Sequence, residues 1–315
     1  MPYVNAPDYR RAPAGDFVLA FDLPRARIRG RLVRLDKVSA RALEAHRLPE
    51  AASRLAAEAC VLATLLGSSL KLDGRLTVQT KSKGPLDLIT ADYFGAEEVG
   101  AEDRQPAGIR GFARLDPERF AALGTPAPVF STLVGEGVVA ITIEPERGGQ
   151  TYQGIVPLGG SLSASAEAYF AQSEQLPTAI KLAAAPLFLP GDPNPRWRAG
   201  GLMLQATPEG TVDVDDWERL SLFLATLEDF ELVDVGLAAE TLLWRLFHED
   251  EVRVHTAEPI AFRCSCEAER IASVLRAYST NEREGLADED GIIRAKCEFC
   301  GAVHEIGPAD LAPAD

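Results

Sequence analysis

Histidine, methionine and tryptophan are scarce: the 315 residues include four, two and three of them. His46, His248 and His255 have no cysteine or carboxylate constellation that carries catalysis. His248 precedes Glu249 and Asp250, but adjacent helical residues do not face each other. No Gly-rich phosphate loop, nucleophile elbow or His-Glu-x-x-His motif is present. The sequence therefore reads as a binding protein, not an enzyme. No window approaches 18 uninterrupted apolar residues, so no membrane-spanning helix and no membrane partner are expected. The first residues, Met-Pro-Tyr-Val-Asn-Ala-Pro-Asp, lack a basic stretch followed by an apolar one, so the expected location is cytoplasmic.

Basic residues are missing from one place. Residues 209–258 carry 3 Lys and Arg against 14 Asp and Glu. Residues 1–208 are near neutral, with 23 against 22, and residues 259–315 carry 6 against 11. Fifty residues thus hold most of the net charge of −15. An acidic segment repels phosphate backbones, so nucleic acid is not an expected partner. With 46% hydrophobic and 25% charged residues, the chain has enough apolar surface to build a core.

The pattern of the first 208 residues is α+β. Residues 16–36 read as two strands, and Leu55, Ala59, Leu62 and Leu66 form one face of a helix that starts near Pro49. Cys60 lies beside that stripe and reads as a buried core thiol. Hairpins are expected around Ser82-Lys-Gly-Pro85 and around the Pro145–Gln150 loop. Residues 186–198, with four prolines, read as a loop. Strands and helices without regular alternation argue for a mostly antiparallel sheet with packed helices. The acidic segment reads as a helical linker. Trp217, Leu220 and Leu224 share one helical face, and Leu242 and Leu246 another. The expected division is an N-terminal domain (1–208), a linker (209–258) and a small C-terminal domain (259–315).

The chemistry lies at the end of the chain. Four of five cysteines fall within 37 residues, as Cys264-Ser-Cys266 and Cys297-Glu-Phe-Cys300. Two short cysteine pairs far apart in sequence point to zinc, one ion held by four thiolates at about 2.3 Å with no open position. Such a site is structural or redox-active, not hydrolytic. The second pair is expected at the tip of a hairpin, with His304 just beyond it as a lesser candidate ligand. Structural zinc contributes about 10–16 kcal/mol in small domains, whereas a core of this size rarely supplies more than about 3–5 kcal/mol. Loss of the metal should therefore unfold residues 259–315. The linker helices would lose a partner, and Trp217, Leu220, Leu224, Leu242 and Leu246 would become a sticky surface. Two other readings of the cysteines are a zinc ribbon that binds a partner without redox switching, and a thiol oxidoreductase.

Several stretches carry a resemblance: Arg29-Gly-Arg-Leu-Val-Arg-Leu, Ile109-Arg-Gly-Phe-Ala-Arg, Tyr152-Gln-Gly-Ile-Val-Pro-Leu, Ser173-Glu-Gln-Leu-Pro-Thr178, Phe262-Arg-Cys-Ser-Cys-Glu and Cys297-Glu-Phe-Cys-Gly. Together they resemble the 33 kDa chaperonin family of redox-regulated heat-shock holdases, nearly end to end. The resemblance implies an ATP-independent stress-response chaperone, inactive when reduced and zinc-bound. It implies disulfides Cys264–Cys266 and Cys297–Cys300 on oxidation, zinc release, unfolding of the C-terminal domain and linker, and a homodimer that holds unfolding client proteins for later refolding.

Overall fold

The structure, a computed structural model, describes residues 15–311 apart from 71, 100–102, 126, 147, 189, 192–194 and 209–210. The chain opens with the hairpin β1 (Phe17–Leu23) and β2 (Ile28–Leu35), then helices α1 (Lys37–Glu44) and α2 (Glu50–Ser69). β3 (Gly74–Ser82) pairs with β4 (Leu86–Phe94). A small ribbon, β5 (Glu97–Val99) and β6 (Asp103–Gln105), leads into β7 (Ala107–Leu115). Short helices α3 (Pro117–Ala121) and α4 (Phe130–Val134) precede the hairpin β8 (Gly137–Pro145) and β9 (Tyr152–Pro157). Helix α5 (Leu162–Tyr169) is followed by the hairpin β10 (Thr178–Leu187) and β11 (Arg196–Ala206). The acidic segment forms α6 (Val214–Ala225), α7 (Asp229–Val233) and α8 (Ala239–Phe247). Two strands, β12 (Arg253–Val254) and β13 (Glu258–Phe262), precede α9 (Ala268–Leu275), α10 (Thr280–Leu286) and the hairpin β14 (Ile293–Lys296) and β15 (Val303–Ile306).

The α+β expectation agrees with this architecture. One large sheet runs β10-β11-β2-β1-β13-β7-β4-β3-β8-β9, with β12 also on β1. Its neighbours are antiparallel except β13 and β7, which are parallel. Residues two apart share a face. Val18 and Val33 point to the main core, built around α2, while Phe17, Leu19, Phe21 and Leu32 point to the other side.

The linker helices cover that other side. Leu220, Leu224 and Leu242 are fully buried there, and Trp217 and Leu246 pack at the rim. Arg34 secures the arrangement from β2: its guanidinium donates to the carbonyls of Glu231, Leu232 and Leu237, around the C-terminus of α7. The charge-based division at 208 falls just after β11. The division at 258 falls on the first residue of β13, a strand of the large sheet.

One expectation needs correction. Residues 186–198 are not all loop. The hairpin of β10 and β11 extends to Leu187↔Arg196 and includes Pro186. β10 is an edge strand, where a missing N–H costs no ladder bond. Helix α2 is long and apolar enough to cross a membrane by length and composition alone, but Arg54 and Glu58 interrupt its apolar run, so the absence of a long uninterrupted run holds. Most of it is buried in the fold, where it serves as the core helix.

Glu58 on α2 has a pH-dependent cost. Burial pushes its carboxyl up to about 7; Arg54 offsets this in part and Asp229 adds to it. The unfolded chain releases this proton near pH 4.5, the fold only near 7, so stability falls as pH rises between those values and stays low above them. Glu58→Gln should therefore raise the melting temperature at pH 8, with a gain of about 1–3 kcal/mol, and leave it unchanged at pH 4. Melting curves at the two pH values check this.

Candidate metal centre

The first cysteine pair is positioned by the sheet. β13 ends at Phe262, and Arg263 holds the next turn by pairing with Glu97 and lying over the Phe94 ring. Gly108 of β7 leaves room for it, since a Cβ there would lie 2.5 Å from the Arg263 side chain. Cys264 and Cys266 follow directly. The second pair sits at the tip of the β14–β15 hairpin, as the sequence implies. Cys297 N–H donates to the Ala302 carbonyl and Gly301 N–H to the Cys297 carbonyl. Gly301 has φ of +71°, the left-handed conformation this turn requires.

These two loops bring Cys264, Cys266, Cys297 and Cys300 together, their sulfurs all within 4.8 Å of one another. The Sγ atoms of Cys264 and Cys297 are 3.7 Å apart, those of Cys266 and Cys300 3.3 Å. Four cysteines in this arrangement could hold a metal ion. Burial pushes the Cys264 and Cys266 thiols up. At Cys300 burial is outweighed by the Ala302 N–H and the neighbouring sulfurs, which hold the thiol below its ordinary value. His304 lies opposite Ala295 on the hairpin and is not in the cluster.

Sequence reasoning missed the groups that dock this cluster. Thr77, Asp92 and Arg110 form a row across β3, β4 and β7. Thr77 donates to Asp92 at 2.7 Å, and Asp92 pairs with Arg110 at 2.7 Å. The far side of the Arg110 guanidinium lies 3.7 Å from Cys264 Sγ and 3.3 Å from Ser265 Oγ, and stacks 4.0 Å over the Phe299 ring. Phe299 meets Phe112 edge-on at 5.0 Å, and its carbonyl accepts from His46 at 3.3 Å. So one buried arginine touches the sheet and both cysteine loops. The one available signal was the stretch Ile109-Arg-Gly-Phe, which carried a resemblance but no assigned role.

The unit around the cysteines has a small apolar core. Its own core is Ala272, Leu275, Ile293 and Ile306, with Ile271, Ala287 and Leu311 beside them.

Comparison with known proteins agrees with this architecture. The sequence pattern of the family described as Hsp33 protein matches residues 16–307. The chain belongs to the Hsp33 family. It is 37% identical over 299 residues to the 33 kDa chaperonin of Caulobacter vibrioides, covering 93% of this chain and 95% of that one. It is 35% identical over 286 residues to the 33 kDa chaperonin of Escherichia coli O17:K52:H18, covering 90% of each. A crystal structure of the 33 kDa chaperonin of Thermotoga maritima shares the fold with a TM-score of 0.72, at 18% identity, over 94% of this chain and 96% of that one. Membership in the Hsp33 family makes the chain a chaperone of that class, for which binding of client proteins is the implied activity.

Cys60, the fifth cysteine, is far from this chemistry in character. It is fully buried on α2, and burial pushes its thiol up to about 12. Peroxide attacks thiolates. Cys60→Ala should therefore leave the rate of peroxide consumption unchanged and lower by one the thiols that react only after denaturation. A thiol titration before and after denaturation checks both.

Proposed function

We propose that this chain is a redox-regulated, ATP-independent holdase for unfolding proteins, inactive while reduced and zinc-bound. The convergence of four thiol sulfurs next to a strand of the large sheet carries this reading. The donor set fits zinc. Sulfurs about 2.3 Å from a tetrahedral ion lie about 3.8 Å from one another; Cys264 and Cys297 are 3.7 Å apart and Cys266 and Cys300 3.3 Å, with all four within 4.8 Å. Cys264, Cys266, Cys297 and Cys300 would hold it. Bound zinc would keep all four sulfurs as thiolates and join the two loops.

Under peroxide stress the proposed products are the disulfides Cys264–Cys266 and Cys297–Cys300. In each, two thiolates lose two electrons to one peroxide, which takes up two protons and leaves as two waters. The contacts Cys264–Cys297 and Cys266–Cys300 run between the pairs, so bonding within pairs lets the loops separate. The small core of Ala272, Leu275, Ile293 and Ile306 is then left to hold the C-terminal unit, and a core of that size is insufficient. In this reading residues 259–315 are the switch, 209–258 the linker it restrains, and 1–208 the body that stays folded. The linker lifts, Trp217, Leu220, Leu224, Leu242 and Leu246 meet client proteins, and the active form is a homodimer. The setting is cytoplasmic, with neither nucleic acid nor membrane as partner.

The test is zinc content and free thiols, measured with suppression of client aggregation. One zinc and five thiols should fall to no zinc and one thiol after peroxide and mild heat. Suppression should appear with that change and vanish on thiol reduction. Equal suppression by the reduced, zinc-loaded protein would overturn the switch and leave a zinc ribbon without redox control.

A further inference from the structure

The strand that leads into Cys264 also closes the sheet. Among the described residues, β10, β11, β2 and β1 meet β7, β4, β3, β8 and β9 only through β13. That closure is thin. β13 has two register pairs with β1 and three with β7, whereas β1 pairs with β2 at seven positions. The β7 pairing is parallel, the weaker geometry. Pro259 stands opposite Phe17 in a non-hydrogen-bonded pair, beside the bonded pair of Ile260 and Asp16. The contacts that seat β13 are mostly main chain: Ile260 N–H donates to the Asp16 carbonyl and Arg263 N–H to the Ile109 carbonyl. One side chain, Ile260, is fully buried in the main core; Phe262 packs partly against it.

Resting on the redox switch proposed above, we propose that β13 leaves with the oxidised cysteine loop, and that the vacated seam between β1 and β7 binds an extended segment of an unfolded client as a replacement strand. The seat itself specifies the occupant. It reads main-chain donors and acceptors, which every unfolded chain carries, and has a pocket for one medium apolar side chain at the Ile260 position. The two facing edges lie two strand spacings apart, about 10 Å, so one inserted strand completes both. Selection is therefore for extended apolar chain, not for a sequence. Release follows from the same geometry. Once reduction restores the cysteine loop, β13 returns from within its own chain at high effective concentration and displaces the client.

The probe is a labelled heptapeptide of residues 257–263, titrated by anisotropy into the full-length chain, reduced with zinc or oxidised with peroxide. The oxidised chain should bind it at least tenfold more tightly. N-methylation at the positions of Ile260 and Arg263 should cost at least tenfold. In full-length protein, Ile260→Asp should load the peptide without peroxide. A bound client should slow amide exchange at 16–18 and 107–110 and compete with the peptide. Three results would overturn the seam while the switch stands. One is an active oxidised chain whose residues 258–262 keep their amide protection. Another is peptide binding indifferent to N-methylation. The third is residues 258–262 of a second copy in the seam that clients do not displace. An oxidised chain that keeps its five thiols, or protects no client, overturns both readings.

Discussion

Cys300→Ser is expected to leave the chain without tightly held zinc and without a folded C-terminal unit. A serine hydroxyl does not replace a thiolate for this ion, and a closed site needs all four ligands. Structural zinc contributes about 10–16 kcal/mol in small domains, against roughly 3–5 kcal/mol from a core of this size. Here that core is four buried side chains, two of them on the hairpin that carries Cys297 and Cys300. Losing even half the metal contribution exceeds what remains. With one equivalent of a competing chelator, zinc per chain should drop below a tenth of the wild-type value. Trypsin should cut within residues 263–311 at least tenfold faster, while the body built on α2 persists. One tightly held zinc per chain in this variant would show that the fourth sulfur is not a ligand.

Arg110→Ala should have the next largest effect, by a different route. It leaves all four sulfurs in place, so zinc should be retained. It also leaves Asp92 buried with Thr77 as its near partner and Arg75 3.9 Å away. Removing one member of a buried pair costs about 3–5 kcal/mol. The same substitution removes the cation stacked on Phe299 and the contacts to Cys264 and Ser265. The expected product is a metal-loaded unit that no longer docks. Trypsin should cut at Arg263 faster, and peroxide should oxidise the cysteines at least tenfold faster than in the wild type. Arg110→Lys keeps the charge but not the planar stack or the forked contact, so it should fall between. Wild-type rates of cleavage and oxidation in Arg110→Ala would show that Arg110 plays no part in docking.

The cysteine cluster was legible because its information is local. Two short spacings force each pair of sulfurs together, and a glycine after Cys300 marks the turn. The faces of α6 and α8 were legible for a similar reason: period alone places Leu220 beside Leu224 and Leu242 beside Leu246. Arg110 was not, because its importance depends on the register that sets it opposite Asp92 in another strand. β13 was hidden more deeply. Its partners, Phe17 and Ala107, are remote in sequence, and Pro259 disguises a strand. Helix α10 left a signal that went unused: Ser279 and Glu282 form a capping box in which each side chain satisfies the other's backbone. The stretch 186–198 misled because four prolines suggest a loop wherever the strand is not known to be an edge.

Closing the sheet through β13 also sets a schedule for synthesis. β1 and β7 leave the ribosome early, but the strand that fits between them begins at Glu258, well over a hundred residues after β7 ends at Leu115. At about 5–20 residues per second, translation leaves that gap open for on the order of 10 s. Throughout that interval the nascent chain exposes two unpaired edges, so newborn copies on one polysome are brought near each other while they can still exchange strands.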